Sequence, residues 1–87
     1  MIEIYDISDH KREDPIFILK LGVLERIHFE LHNKGVMIDL YGTSRVYPSH
    51  IGLIMNALEN GNKDEIEFYN FLTRYKKEDK GFIIEGD

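Results

Sequence analysis

The chain has no cysteine and no tryptophan, only two prolines, and no long apolar run. Without thiols there is no disulfide, no thiolate metal site and no cysteine nucleophile. The longest apolar runs, residues 16–19 and 53–55, fall far short of the roughly 20 residues that a membrane-spanning helix needs. The opening MIEIYDISDHKRED has no apolar segment of signal-peptide length, so cytoplasmic residence is the default expectation. The seven glycines stand singly, and neither a P-loop nor a GxGxxG phosphate cradle is present. Positive charge is also short. Eleven basic against sixteen acidic residues give a net charge of −5, which opposes attraction to phosphate backbones and anionic lipid. The nearest basic cluster, Arg74, Lys76, Lys77 and Lys80, is interrupted by Glu78 and Asp79 and is explained by the dipole at a helix C-terminus. Direct nucleic-acid and membrane binding are therefore not expected.

What is present suits one small globular domain spanning residues 1–87, with 43% hydrophobic and 31% charged residues. A domain of this size buries only about 60% of the surface its unfolded chain exposes, so most apolar residues must go into making the fold. Little remains to shape a deep substrate pocket.

The patterning predicts an α+β fold: a three-stranded antiparallel meander packed against two C-terminal helices. Phe17, Leu19 and Leu21 alternate with Ile16, Ile18 and Lys20. Ile27, Phe29 and Leu31 alternate with Arg26, His28, Glu30 and His32, and Val36, Ile38 and Leu40 with Met37, Asp39 and Tyr41. Asn33, Lys34 and Gly35 read as the hairpin turn between the second and third strands. Pairing Asn33 with Val36 sets Leu31 against Ile38 and Phe29 against Leu40, which makes one face apolar throughout. Ile51, Ile54, Met55 and Leu58 then follow helical spacing, with Ser49 as the expected N-cap and Gly61 as the stop. A second helix starts near Asp64, where Asp64, Glu65 and Glu67 suit the positive end of the dipole and Phe68, Phe71, Leu72 and Tyr75 form its stripe. At the two ends the pattern leaves alternatives open. Residues 2–5 suit a short strand or a first helical turn, and Phe82, Ile83 and Ile84 suit a fourth, edge strand or a docked tail.

In that register the outer sheet face brings His28, Glu30, His32 and Asp39 together, a donor set suited to zinc or manganese. Against this, histidine and glutamate are ordinary on a solvated strand face, and the interleaved Ile16, Ile18, Met37 and Tyr41 suit a protein contact surface as well. Ser8, Ser44 and Ser49 sit in no nucleophile-elbow context, so catalysis, a cofactor and a bound metal are not expected. Two acidic concentrations remain: Asp6, Asp9, Glu13 and Asp14, and Glu59, Asp64, Glu65 and Glu67. Spaced along one edge, such groups suit a basic protein groove; read structurally, they are a solvated rim and helix N-terminal acids.

The run NALENGNKDEIEFYNFL, residues 56–72, resembles the paired C-terminal helices of a small anti-CRISPR family, the Listeria-prophage-type inhibitors of the type II CRISPR effector nuclease. The likeness extends back through FILKL, residues 17–21, and HNKG, residues 32–35, covering roughly residues 14 to 75. It implies a non-catalytic phage or mobile-element protein, working in the host cytoplasm, that mimics DNA with acidic groups on the surface that reads the protospacer-adjacent motif. Carried over by position, Asp14, Asn33, Gly35, Asp64 and Glu65 are the contact candidates, with Lys34 at the same turn. Lys34 departs from the family pattern, which has an acid there, and Val36 and Met37 replace polar and acidic residues. A guanine-reading arginine pair would not welcome Lys34, so the resemblance allows a shared scaffold with a different target.

The sequence thus predicts an acidic interaction module, with a partner that carries a basic surface, such as a CRISPR effector nuclease. A module that dimerises or binds through its outer sheet face is the alternative, and a metal-dependent enzyme using His28, Glu30, His32 and Asp39 the third.

Overall fold

A computed structural model describes residues 1–58 and 62–86. In chain order the elements are β1 (Ile2–Asp6), β2 (Phe17–Leu19), α1 (Leu21–Asn33), β3 (Thr43–Val46), α2 (Pro48–Ala57), α3 (Lys63–Lys77) and β4 (Phe82–Glu85). The class is α+β, but among the described residues the sheet has four antiparallel strands in the order β2-β1-β4-β3, with three helices. The last strand lies inside the sheet rather than at its edge. Phe82, Ile83 and Ile84 are fully buried, which explains a run of apolar residues without alternation: both faces of β4 are covered.

The largest correction concerns the expected meander. Residues 26–32, read as its second strand, are helical. Val23, Leu24, Ile27 and Leu31 form the buried stripe of α1, and Phe29, assigned to the apolar sheet face, is 74% exposed. Ile27 and Leu31 satisfy both a period of two and helical spacing, so only Val23, Leu24 and Phe29 separate the readings. The expected third strand, residues 36–41, is an irregular connection, and β3 begins after it.

The HNKG turn accordingly ends a helix. The Gly35 N–H donates to the His32 carbonyl (3.0 Å) and the Val36 N–H to that of Leu31 (2.9 Å), the two bonds of a Schellman motif. Val36 and Leu31 are both buried in the core, supplying its usual hydrophobic contact. Gly35 has φ 85°, and nothing lies within 4 Å of where a Cβ would be. Gly35→Ala should therefore cost about 1 kcal/mol from backbone strain alone, read as a lower urea midpoint with an unchanged slope.

The C-terminal helices follow the expected stripes, with Ile51 and Ile54 buried on α2 and Phe68, Phe71, Leu72 and Tyr75 on α3. The α2 cap differs from expectation: Tyr47 is the N-cap, Pro48 takes the first turn, and Ser49 is already helical. The expected stop at Gly61 and the acid Glu59 lie outside the described residues. The helix stripes meet Ile2, Ile4, Leu19, Val46, Phe82 and Ile84 on one sheet face to form the core. By alternation and register, the other face carries Ile18, Glu3, Glu85 and Thr43 in one row and Tyr5, Ile83 and Arg45 in the next.

Candidate functional site

The expected contact residues separate into three places. Asp14 is exposed on the loop of residues 7–16, where its N–H donates to Asp9 Oδ2 (3.3 Å). Asn33, Lys34 and Gly35 are exposed at the C-terminal end of α1, with Lys34 Nζ 3.1 Å from Glu30 Oε2. Asp64 and Glu65 open α3, and Asp64 Oδ2 lies 3.2 Å from Lys20 Nζ, just before the other end of α1. The 13 residues of α1 span about 20 Å, so Lys34 and Asp64 belong to opposite ends of the helix layer.

Glu65 is inside the fold. It is 3% exposed, and its carboxylate receives Arg26 Nε (3.1 Å), Arg26 Nη2 and Asn62 Nδ2 (2.8 Å). Arg26 Nη2 also donates to the Ala57 carbonyl (3.2 Å), and Asn62 Oδ1 caps α3 by accepting the Glu65 N–H (2.9 Å). One charged cluster thereby joins α1, the end of α2 and the start of α3. Of the two acids at this junction, only Asp64 reaches solvent. The cleft here, about 270 Å³, is lined by Lys20, Gly22, Val23, Arg26, Asn62, Asp64 and Glu65.

The four possible metal donors do not converge, because the strand register that would collect them is absent. His28 turns its Nδ1 to the Glu25 carbonyl (2.9 Å) and packs against Phe29, Glu30 pairs with Lys34, and Asp39 Oδ1 accepts the Tyr41 N–H (2.9 Å). His32 lies on α1. Among the described residues no group of three such side chains could hold a metal ion.

The helix-free sheet face holds a site that the sequence reading missed. Glu3 and Glu85 lie directly opposite each other on β1 and β4, a pairing that costs energy unless it is compensated. Tyr5 Oη donates to Glu3 Oε2 (3.0 Å), Thr43 Oγ1 lies 3.0 and 2.9 Å from the Glu85 carboxylate oxygens, and Arg12 Nε stands 2.6 Å from Glu85 Oε1. Arg12 brings the loop of residues 7–16 to this face, where Tyr5 and Ile83 are buried while Ile18 stays 48% exposed. The alternation in IEIYD was a visible signal for β1. Its pairing with β4, from the far end of the chain, had no local signal.

At the end of β1, Asp6 accepts the Ser8 N–H (3.0 Å), the Ser8 hydroxyl (2.7 Å) and the Tyr75 hydroxyl (3.2 Å). The Ser8 bonds, hydroxyl first, hold the Asp6 carboxyl below the ordinary 3.8. Burial, then Asp6, pushes the Tyr75 phenol from 10.0 to about 12. Asp6 thus contributes stability that is present above its unfolded-state value and lost as the pH falls through its lowered one. Tyr75 contributes stability that is complete below 10.0 and lost as the pH rises toward about 12. Tyr75→Phe should flatten the alkaline arm of a stability–pH curve in that window. A smaller slope remains from Tyr5, whose phenol is also raised, chiefly by burial.

No helix among the described residues is long and apolar enough to cross a membrane. Neither protein-family models, nor curated proteins, nor solved structures give a match to this chain.

Proposed function

We propose that this chain is a non-enzymatic interaction domain that uses surface acids to occupy a basic, nucleic-acid-binding surface on another protein. The observation that carries the reading is that Asp14 stands exposed on the loop that Arg12 ties to Glu85, while Asp64, unlike the buried Glu65, reaches solvent at the start of α3. Three basic residues of α3, Arg74, Lys76 and Lys77, fall in its last turn, within the helix layer. The first turn of the same helix holds Asp64, so the charges along α3 are of opposite sign at its two ends, which favours oriented docking of the acidic end on a cationic groove.

The resemblance in residues 56–72 makes a type II CRISPR effector nuclease the first partner to test, with the protein acting as a phage or mobile-element inhibitor. Asp14 and Asp64 are the contact acids of this reading, and the exposed end of α1 at Asn33, Lys34 and Gly35 is a secondary contact. Glu65 serves by holding the junction that presents Asp64.

The test is binding of the purified protein to guide-loaded effector, with and without a competing duplex that carries the protospacer-adjacent motif. The expected result is a complex that this duplex displaces and that Asp14→Lys with Asp64→Lys weakens at least about tenfold, as like-charge contacts do. A complex indifferent to the duplex and to both reversals would overturn the reading, as would the absence of any complex.

A further inference from the structure

The outer edge of β3 pairs with no strand among the described residues, because β3 is the terminal member of the sheet and bonds only to β4. Proteins usually blunt such edges with lysine, proline, bulges or very short strands. The other edge, β2, is blunted: it has three residues and gives way after Lys20 to α1. The four-residue β3, TSRV, carries one arginine and neither lysine nor proline. Its surroundings are apolar. Met37 (63% exposed), Tyr41 (69%) and Tyr47 (47%) are three of the eight large hydrophobic side chains most exposed among the described residues. Tyr41 and Tyr47 bracket the strand in sequence, and Met37 lines an open groove beside it with Ile38, Asp39, Thr43, Ser44 and Arg45.

We infer that β3 is a self-association edge, whose occupant is the β3 strand of a second copy, paired antiparallel across a two-fold axis normal to the sheet. Such an axis keeps Ser44 and Val46 of both copies on the helix side, so the pairing must join residues of like orientation. Two registers satisfy this with the strands well overlapped. Centring on Arg45 sets two guanidinium groups against each other, which is unfavourable. Centring on Ser44 sets Thr43 of each copy opposite Arg45 of the other. Thr43 is bonded to Glu85, which stands beside Glu3, so each incoming Arg45 reaches an acidic row. None of the ion pairs among the described residues includes Arg45, so its charge is available for this contact. The product is a continuous eight-stranded sheet with all helices on one side, and the complementarity occurs twice by symmetry. This self-pairing is what distinguishes a second copy from an unrelated strand as the occupant.

The absence of cysteine makes the register directly testable. Sedimentation of the purified full chain over a concentration series should show a monomer–dimer equilibrium. Arg45→Glu should raise its dissociation constant about tenfold or more by opposing the acidic row, and Arg45→Lys should largely preserve the dimer. Single-cysteine Thr43→Cys and Arg45→Cys proteins, mixed and mildly oxidised, should form the mixed disulfide in clear excess over either homodisulfide. A chain that stays monomeric throughout, a dimer untouched by Arg45→Glu, or homodisulfides as abundant as the mixed one would overturn the inference. These measurements need no effector, so they leave the acidic-docking proposal to stand or fall by its own test.

Discussion

Arg26→Ala is expected to lower the unfolding free energy by about 3 kcal/mol, because it removes the guanidinium that donates through two nitrogens to the buried Glu65 carboxylate. Removing one partner of a buried ion pair costs about 3–5 kcal/mol. The lower end applies here because the Arg26 side chain is 37% exposed and water screens part of the pair. The loss should be accompanied by fraying where α1, α2 and α3 meet, since the guanidinium also holds the Ala57 carbonyl. Arg26→Met combined with Glu65→Leu removes both charges and should recover much of the loss, while the Asn62 cap on the Glu65 backbone N–H persists. Urea unfolding of the two variants distinguishes these outcomes. If Arg26→Ala were neutral, Glu65 would not depend on this pair. The same chemistry bears on function: a charge reversal at Glu65 should abolish partner binding by unfolding the domain, so such a variant says nothing about surface contacts unless its stability is measured.

Phe71→Ala should cost about 3–5 kcal/mol, the range for removing a buried aromatic ring. Phe71 is 4% exposed and connects separate parts of the fold: its ring centroid lies 4.8 Å from Phe17 at β2, 4.7 Å from Tyr75 on α3 and 5.6 Å from Phe82 on β4. Removing it empties the contact between the helix layer and two strands, with little scope for the rigid sheet to collapse into the gap. Domains of this size hold about 5–15 kcal/mol in total, so the variant should unfold far below the wild-type melting temperature. Phe71→Leu, which keeps most of the apolar volume, should lose much less. Thermal denaturation followed by far-UV circular dichroism gives both values.

The α3 stripe was legible because Phe68, Phe71, Leu72 and Tyr75 satisfy only one period. Residues 26–32 were ambiguous because Ile27 and Leu31 satisfy two, and Gly35 supports either a hairpin or a helix end until its bonding partners are known. The sheet order was not legible: β1 and β4 are joined by pairs such as Glu3 with Glu85, and nothing near either residue specifies the other. Burial of Glu65 had the same character. An acid at a helix start reads as a dipole partner, and only Arg26, brought in from α1, makes it an interior group. The acidity of the surface was legible from composition, but its placement required the fold.

In the proposed function the exposed acids Asp14 and Asp64 bind the partner, while Glu65 maintains the structure that carries them. The most direct test is the salt dependence of affinity for guide-loaded effector, measured for the wild type and for Asp14→Asn with Asp64→Asn, alongside the unfolding free energy of each. Wild-type affinity should fall steeply with salt, and the double variant should bind more weakly, with a shallower slope and nearly unchanged stability. Equal affinities and equal salt slopes in the two proteins would contradict that reading.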